Sequence, residues 1–381
     1  MDTEIPAKVK LESDPNYFSP DDHDFMARAL ALTERGRDTA TPNPAVGCVI
    51  AKGGRLIGEG WHERAGEPHA EVRALEAAAE SPEGATVYVT LEPCAHHGRT
   101  PPCVDALIAA KVARVVAAVQ DPNPQVSGAG AAKLRQAGIR VDFGLMADQA
   151  EEAHLGFLTR MRRGRPWMRI KTAATLDGRI ALANGESRWI TGEPARTDVH
   201  ALRARSCAIL TGIGTVMRDD PDLTVRYVEC RRQPRRVLID SRLEVSLDAK
   251  ILRGEPPLIY TVTGDAAKRK ALKERGAEVV QAPVDPFKSG KSDLQAIARD
   301  LGARGYNEVT IETGGKLSGS LLAAGVVDEI WFYFAPKLLG DSAQGMFDLP
   351  EMSRLEQALT PRMTDVRFVG EDLRVIARFG S

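Results

Sequence analysis

His69 and Glu71 stand two residues apart in PHAE, Cys94 follows a proline, and Cys103 comes nine positions later, after a double proline. One imidazole and two thiolates make a tetrahedral zinc site with one open position. Zinc in such a site acidifies its water, and Glu71 can shuttle the proton without binding the metal. That arrangement hydrolyses an amidine-like C–NH2 group on a heterocycle and releases ammonia. A closed structural site would instead need a fourth protein ligand, for which His96 and His97, between the cysteines, are candidates. Any one element alone is a weak signal; the joint pattern carries the reading. Cys48, Cys207 and Cys230 read as core or incidental cysteines.

Those residues need elements to hold them. DDHDFMARALALTERG, Asp21 to Gly36, predicts a helix capped by Asp21 or Asp22 and closed by Gly36. Alternating Val46, Cys48 and Ile50, the Lys52-Gly53-Gly54 turn and the return through Leu56 to Gly60 predict a β-hairpin. Residues 69–80 read as helix, 85–93 as a buried strand ending where Pro-Cys begins, and 104–110 as helix. A strand at 112–121, a helix at 127–138 with a glycine stop, and a short strand from Val141 follow. This order describes a compact α/β unit, closing in the polar-basic stretch FLTRMRRGRP, 157–166.

A second unit begins at Trp167. WMRIKTAATLDGRIA predicts a strand feeding a Leu-Asp-Gly turn, and CAILTGIGTVMRDDP a strand and then a glycine-rich turn. RRVLIDS, PPLIYTV and VDEIWFYFAPKLLG add strands, VTIETGGKLSGSLLAAG a strand leading into a helix, and VRFVG with LRVIARF a terminal antiparallel pair. Together they predict a mixed sheet flanked by helices. The expected organisation is an extension over 1–20, one domain over 21–162 and another over 163–381. No G-x-G-x-x-G follows the first strand of the second unit, so the usual dinucleotide fingerprint is missing. TGGKLSGSLL, Thr313 to Leu322, lies between a strand and a helix, where free backbone N–H groups can hold a phosphate or pyrophosphate. A plain tight turn is the alternative there.

Composition narrows the function classes. Lys and Arg total 51 against 52 for Asp and Glu, which gives no support to a nucleic-acid binder steered by bulk charge. No apolar run is long enough to cross a membrane. The mixed-charge start MDTEIPAKVKLESDPNYF does not look like a secretion signal and reads as a disordered or loosely docked extension. Five cysteines at irregular spacing argue against a disulfide framework and for the cytoplasm.

PHAE at 68–71 and TLEPCAHHGRTPPC at 90–103, with TPNPAVGCVI at 41–50 and QDPNPQVSGAG at 120–130, resemble the deaminase domain of the bifunctional riboflavin-biosynthesis deaminase/reductase family. The long insert between the cysteines departs from the Pro-Cys-x-x-Cys of the wider cytidine deaminases and matches the riboflavin branch. KTAATLDGRIA, GESRWITG, GIGTVMRDDPDLTVR, VLIDS, ETGGKLSGSLL and FYFAPKLLG resemble the reductase domain of the same family. The resemblance implies an α/β chain: a cytidine-deaminase-like α/β/α domain, then a dihydrofolate-reductase-like α/β domain.

It further implies that His69, Cys94 and Cys103 bind Zn2+, that Glu71 moves the proton, and that Asn43, His97 and Arg99 meet the deaminase substrate. NADPH would contact Ala173, Trp189, Thr215, Asp219, Ser241 and the loop Gly314, Gly315, Lys316, Leu317, Ser318, Gly319 and Ser320. The reductase substrate would contact Lys171, Ser187, Arg203, Leu223, Arg226 and Glu312. Lys171 and Asp219 are the polar residues expected near the hydride-transfer centre. The implied substrate is a phosphorylated pyrimidine ribosylamine, deaminated and then reduced along its sugar, in a homo-oligomer without nucleic acid or membrane. Two alternatives stand beside this: a deaminase whose second domain binds ligand without turnover, and a structural zinc module with a nucleotide-binding regulatory domain.

Overall fold

The computed structural model describes residues 17–98, 100–123 and 127–380; the expected extension lies outside them as far as residue 16. The chain divides into two compact units, Met1–Arg162 and Arg163–Ser381.

The first unit runs α1 (Pro20–Gly36), β1 (Gly47–Lys52), β2 (Arg55–Trp61), α2 (Ala70–Glu76), β3 (Thr86–Val89), α3 (Cys103–Ala109), β4 (Arg114–Ala117), α4 (Ala129–Gln136), β5 (Arg140–Phe143), α5 (Ala147–Ala153) and α6 (Leu155–Arg163). The order expected through β5 is the order found. The cap of α1 differs: Ser19, not Asp21 or Asp22, is the cap residue. The Ser19 hydroxyl accepts the Asp22 N–H at 3.1 Å and the Asp22 carboxylate accepts the Ser19 N–H at 2.9 Å, a reciprocal box. The basic stretch after residue 157 is mostly α6, because Phe157 and Leu158 bury against Leu91. Its arginines stay outside, as Arg162 does in pairing with Glu151.

The sheet order is β2-β1-β3-β4-β5, with β1 antiparallel to both neighbours and β3, β4 and β5 parallel. Successive strand residues face opposite sides, and both sides are covered. Cys48, Ile50, Val87, Val89 and Val115 pack with Ala70, Ala74, Val104, Leu107 and Leu134 of α2, α3 and α4. Val49, Ala51, Tyr88 and Val116 pack with Met26, Ala29, Leu32 and Ala150 of α1 and α5. Gly60 lets α2 approach β2 closely: a Cβ there would come within 2.6 Å of the Ala74 nitrogen and 2.7 Å of the Ala70 oxygen. That contact seats the first turn of α2, with His69 and Glu71, against the sheet.

The second unit runs β6 (Trp167–Thr175), β7 (Arg179–Ala181), α7 (Glu193–Arg205), β8 (Ala208–Gly212), α8 (Ile213–Asp219), β9 (Arg235–Ile239), β10 (Leu258–Thr261), α9 (Ala266–Glu274), β11 (Glu278–Gln281), α10 (Leu294–Ala303), β12 (Glu308–Ile311), α11 (Gly315–Ala323), β13 (Glu329–Ala335), β14 (Gln344–Gly345), β15 (Arg362–Val369) and β16 (Asp372–Arg378). Nine strands form one sheet in the order β11-β10-β9-β8-β12-β6-β13-β16-β15. Strands β11 through β13 are parallel, and β16 and β15 return antiparallel. The mixed sheet and its terminal pair are as expected. The glycine-rich turn after β8 is instead a helix start, with Gly212 as the cap of α8. At the amino ends of β6, β12 and β13, the fully buried Arg169 pairs with Glu308 and Glu329. No helix among the described residues is long and apolar enough to cross a membrane.

Candidate active sites

In the first unit His69 is the extended cap residue of α2, Cys103 opens α3, and Cys94 sits in the loop after β3. Three separate elements thus converge. His69 Nδ1 lies 3.2 Å from Cys103 Sγ and 3.5 Å from Cys94 Sγ, and the two sulfurs are 3.5 Å apart. Zinc bonds of about 2.0–2.3 Å to nitrogen and sulfur imply tetrahedral edges of roughly 3.5–3.8 Å, so the triangle fits an ion with slight expansion. The Cys103 N–H donates to Cys94 Sγ at 3.4 Å. The far nitrogen of His69, Nε2, lies 3.4 Å from Thr100 Oγ1, which leaves Nδ1 to face the sulfurs.

Among the described residues the cluster holds three ligands only, His69, Cys94 and Cys103. Neither His96 nor His97 joins it as a fourth, so a tetrahedral ion here keeps one open position. The Cys94 thiol is pulled well below its ordinary range, first by the hydrogen bond with Cys103 and also by that with His69. Cys103 is pushed up correspondingly by its bond to Cys94. His69 is raised by its bond to Cys94. A divalent cation would displace these protons, since thiolate and neutral imidazole are the ligating forms.

Glu71 lies in the first turn of α2 and is 3% exposed. Burial raises its carboxyl above the usual range, as does the charge of Cys94, while His69 opposes them. Asn43 Nδ2 is 3.0 Å from His62 Nε2, and His62 Nδ1 is 3.3 Å from the Pro68 carbonyl. Burial first, and His69 second, push His62 down to about 4. The neutral ring therefore donates to Pro68 and accepts from Asn43, and it packs edge-on against His69 with centroids 5.0 Å apart. Sequence reading missed His62, because a lone histidine ending a strand carries no pairing signal. His97 is exposed, whereas His96 keeps a buried Nδ1 without a partner among the described residues. Arg99 lies outside the described residues.

In the second unit a cavity of about 1170 Å³ opens at the carboxyl ends of the parallel strands, where ligands bind in sheets of this kind. Its wall includes Lys171, Ala173, Ser187, Trp189, Arg203, Thr215, Asp219, Leu223, Arg226, Ser241, Glu312, Gly314, Gly315, Lys316, Leu317, Gly319 and Ser320. Ser318 is not among them; it is buried, with its hydroxyl 3.5 Å from the Thr313 carbonyl. The expected phosphate loop is the start of α11, with Gly314 as its extended cap and no side chain closing it. That start presents free N–H groups, which suit a pyrophosphate. At Gly319 a Cβ would run into the Asp348 carbonyl oxygen. Gly319→Ala is expected to cost about 1–3 kcal/mol by forcing the helix outward, measurable as a lowered denaturant midpoint for this unit.

Glu312 organises the cavity floor. Arg203 grips its carboxylate through Nε at 2.5 Å and Nη2 at 2.8 Å, and Lys171 Nζ lies 3.4 Å from Oε2. Burial would raise this carboxyl, but Arg203 and then Lys171 hold it far below the usual range. It is an ionised anchor that aims two cations. Arg203 Nη1 also donates to the Thr224 carbonyl at 3.0 Å. His200, also missed in the sequence, accepts the Arg226 N–H at 2.9 Å and is pushed down to about 4 by burial, then Arg203. Leu223 reaches the wall through left-handed backbone, φ 52°, with its side chain in the core.

Similarity to known proteins agrees with both sites. The family model described as the cytidine and deoxycytidylate deaminase zinc-binding region matches residues 19–119, and that of the RibD C-terminal domain matches 166–374. Riboflavin biosynthesis protein RibD of Escherichia coli (strain K12) is 49% identical over 364 residues, covering 92% of this chain and 98% of that protein. Among solved structures, Acinetobacter baumannii RibD, form 1, superposes with a TM-score of 0.87 at 42% identity, covering 95% of this chain and 99% of that one. A diaminohydroxyphosphoribosylaminopyrimidine deaminase/5-amino-6-(5-phosphoribosylamino)uracil reductase from Thermotoga maritima gives 0.83 at 33% identity, covering 94% and 99%. The chain belongs to the RibD family and is a bifunctional deaminase/reductase of riboflavin biosynthesis.

Proposed function

We propose that the first unit performs zinc-dependent hydrolytic deamination of 2,5-diamino-6-(5-phosphoribosylamino)pyrimidin-4-one. The second unit then performs NADPH-dependent reduction of the ribosyl side chain, giving 5-amino-6-(5-phosphoribitylamino)uracil. The carrying observation is a His/Cys/Cys cluster of three ligands with the buried Glu71 beside it, in the first turn of α2. The ligand number argues against the structural-zinc alternative.

His69, Cys94 and Cys103 would hold the zinc, which supplies Lewis acidity and an acidified water. Glu71 takes up a proton on its carboxylate, passes it to the ring nitrogen and then carries one to the departing amine. Its burial keeps water from competing for that proton. Asn43, oriented by His62, meets the pyrimidine ring, and His97 and Arg99 serve the ribose phosphate.

In the second unit Ala173, Trp189, Thr215, Asp219, Ser241 and the residues from Gly314 to Ser320 would hold NADPH, which supplies hydride. Within that stretch Ser318 acts through the core. Ser187, Leu223 and Arg226 position the opened sugar phosphate, for which a guanidinium is suited. Arg203 and Glu312 hold Lys171 in place, and Lys171 Nζ neutralises charge at the acceptor. A cytoplasmic location and homo-oligomeric assembly belong to the same reading. The second is supported by exposed Met363, Val366 and Phe368 on the edge strand β15.

The test is a mass-spectrometric time course on zinc-loaded protein, given the diaminopyrimidinone substrate with and without NADPH. Deaminated product alone is expected without NADPH, and the ribityl product with it. Absence of both products would remove this substrate. Cys94→Ala is expected to lower bound zinc from one equivalent to a small fraction, read by elemental analysis, and to stop ammonia release with it. A variant retaining full zinc would refute the ligand assignment.

A further inference from the structure

His200 and Arg203 stand three residues apart in α7, on one face of the helix, and both line the cavity of the second unit. His200 is 4% exposed. Its Nδ1 receives the Arg226 backbone N–H at 2.9 Å. A backbone N–H can only donate, so Nδ1 carries no proton, and the hydrogen of the neutral ring is on Nε2. Burial first, and then the charges of Arg203 and Arg226, keep the ring in that neutral form.

His200 Nε2 lies 3.4 Å from Arg203 Nη1. Both atoms are donors in this tautomer, so the contact is not a hydrogen bond. Arg203 Nη1 has two hydrogens, and one goes to the Thr224 carbonyl at 3.0 Å. Glu312 takes Nε and Nη2 on the other edge of the guanidinium. One hydrogen on Nη1 and one on Nε2 are left side by side, and no described residue supplies an acceptor for either. Leaving buried donors without an acceptor is costly. A single oxygen brought in by the cavity's occupant satisfies both.

The surroundings hold this pair in place without consuming it. Tyr227, also on the cavity wall, packs against the imidazole with ring centroids 4.5 Å apart. The segment from Leu223 to Tyr227 has anchors besides His200. The Gln233 carboxamide accepts the Val225 N–H at 2.8 Å and donates to the Val225 carbonyl at 3.2 Å, and Arg203 holds Thr224. The neighbours of the donor pair, Leu223, Arg226 and Glu312, belong to the substrate end of the cavity in the reading above, not to the part assigned to NADPH.

Resting on the reduction reading, we propose that His200 is a substrate-binding residue of the second unit, its Nε2–H and Arg203 Nη1 together holding one oxygen of the phosphorylated sugar. Calorimetric titration of the full chain with the ribityl product tests this without turnover. His200→Asn keeps an amide oxygen near the Nδ1 position and removes the Nε2 donor. It is expected to weaken product binding about tenfold. His200→Gln, whose amide nitrogen reaches the Nε2 position, should recover most of that loss, and NADPH binding should be the same in all three proteins. In turnover, His200→Asn should raise KM for the deaminated substrate with kcat little changed. Product lacking its phosphate locates the oxygen. A loss that persists with it places the oxygen on the sugar, and a loss that disappears places it on the phosphate; both support the donor pair.

Unchanged product affinity in His200→Asn overturns the proposal and leaves the reduction reading intact. Equal weakening of product and NADPH overturns it too, by giving His200 a merely structural role. Failure of the unaltered protein to bind product overturns the proposal and the reduction reading together. Nitrogen-15 spectra of the histidine-labelled parent decide the matter even where the variants do not fold. The ring is expected as the Nε2–H tautomer, with its proton moving downfield on addition of product. An Nδ1–H tautomer, or an unmoved proton, overturns the assignment.

Discussion

Glu71→Gln is expected to retain a full equivalent of zinc and to lower ammonia release by about 10³-fold or more, near the upper range for loss of a general acid–base group. The substitution keeps the size of the side chain and removes only its ability to exchange a proton. Glu71 is 3% exposed, so solvent cannot easily replace the missing relay. Burial and the Cys94 charge raise its carboxyl, which brings proton uptake and release closer to neutral pH than for an exposed glutamate. Zinc analysis and ammonia release, measured on the same preparation, separate the proton role from a structural one. Near-normal turnover would sink the assignment and revive the structural-zinc alternative. The reduction step should continue when deaminated substrate is supplied directly.

Glu312→Gln is expected to destabilise the second unit by about 3–5 kcal/mol, the cost of leaving the buried Arg203 and the half-buried Lys171 without their counter-charge. Arg203 holds the carboxylate with two bonds of 2.5 and 2.8 Å, and Lys171 stands 3.4 Å away. Denaturant unfolding should show the loss as a lower midpoint in one transition, because the two units need not unfold together. Reduction should fall as well, since Lys171 and Arg203 lose the group that aims them.

The pH dependence follows from the direction of the shift. The folded carboxyl titrates far below the ordinary value of 4.5, so its stabilisation is fully present above about pH 4.5 and is lost as pH falls below it. Glu312→Gln should flatten that acid-side loss. A variant within about 1 kcal/mol of the parent, with an unchanged acid limb, would show that the pair merely offsets its own desolvation.

Local signals determined much of this molecule. Period-two alternation marked β1 and its hairpin partner, because strand side chains face alternate sides whatever lies beyond them. The joint spacing of His69, Glu71, Cys94 and Cys103 marked the metal cluster, since few other reasons place those residue types together. The TGGKLSGSLL stretch marked a helix start able to hold phosphate. The stretches that resemble the two family domains carried the substrate and cofactor expectations.

Tertiary structure decided what depends on partners distant in the chain. His62 orients Asn43 from 19 residues away, and only the folded hairpin brings them together. Ser19 displaced Asp21 and Asp22 as the cap because Asp22 was needed to close the reciprocal box. Phe157 and Leu158 turned a basic stretch into helix by finding Leu91. Ser318, in a stretch read as a phosphate loop, is buried with Leu321 and Leu322 on the inner face of α11 because a helix turns each successive side chain by about 100°. Arg203 and Glu312 are 109 residues apart, so nothing local could reveal that these two expected site residues pair with each other. Spacing along a chain records periodicity and chemistry within a few turns; pairing, burial and charge compensation arise only when the chain closes on itself.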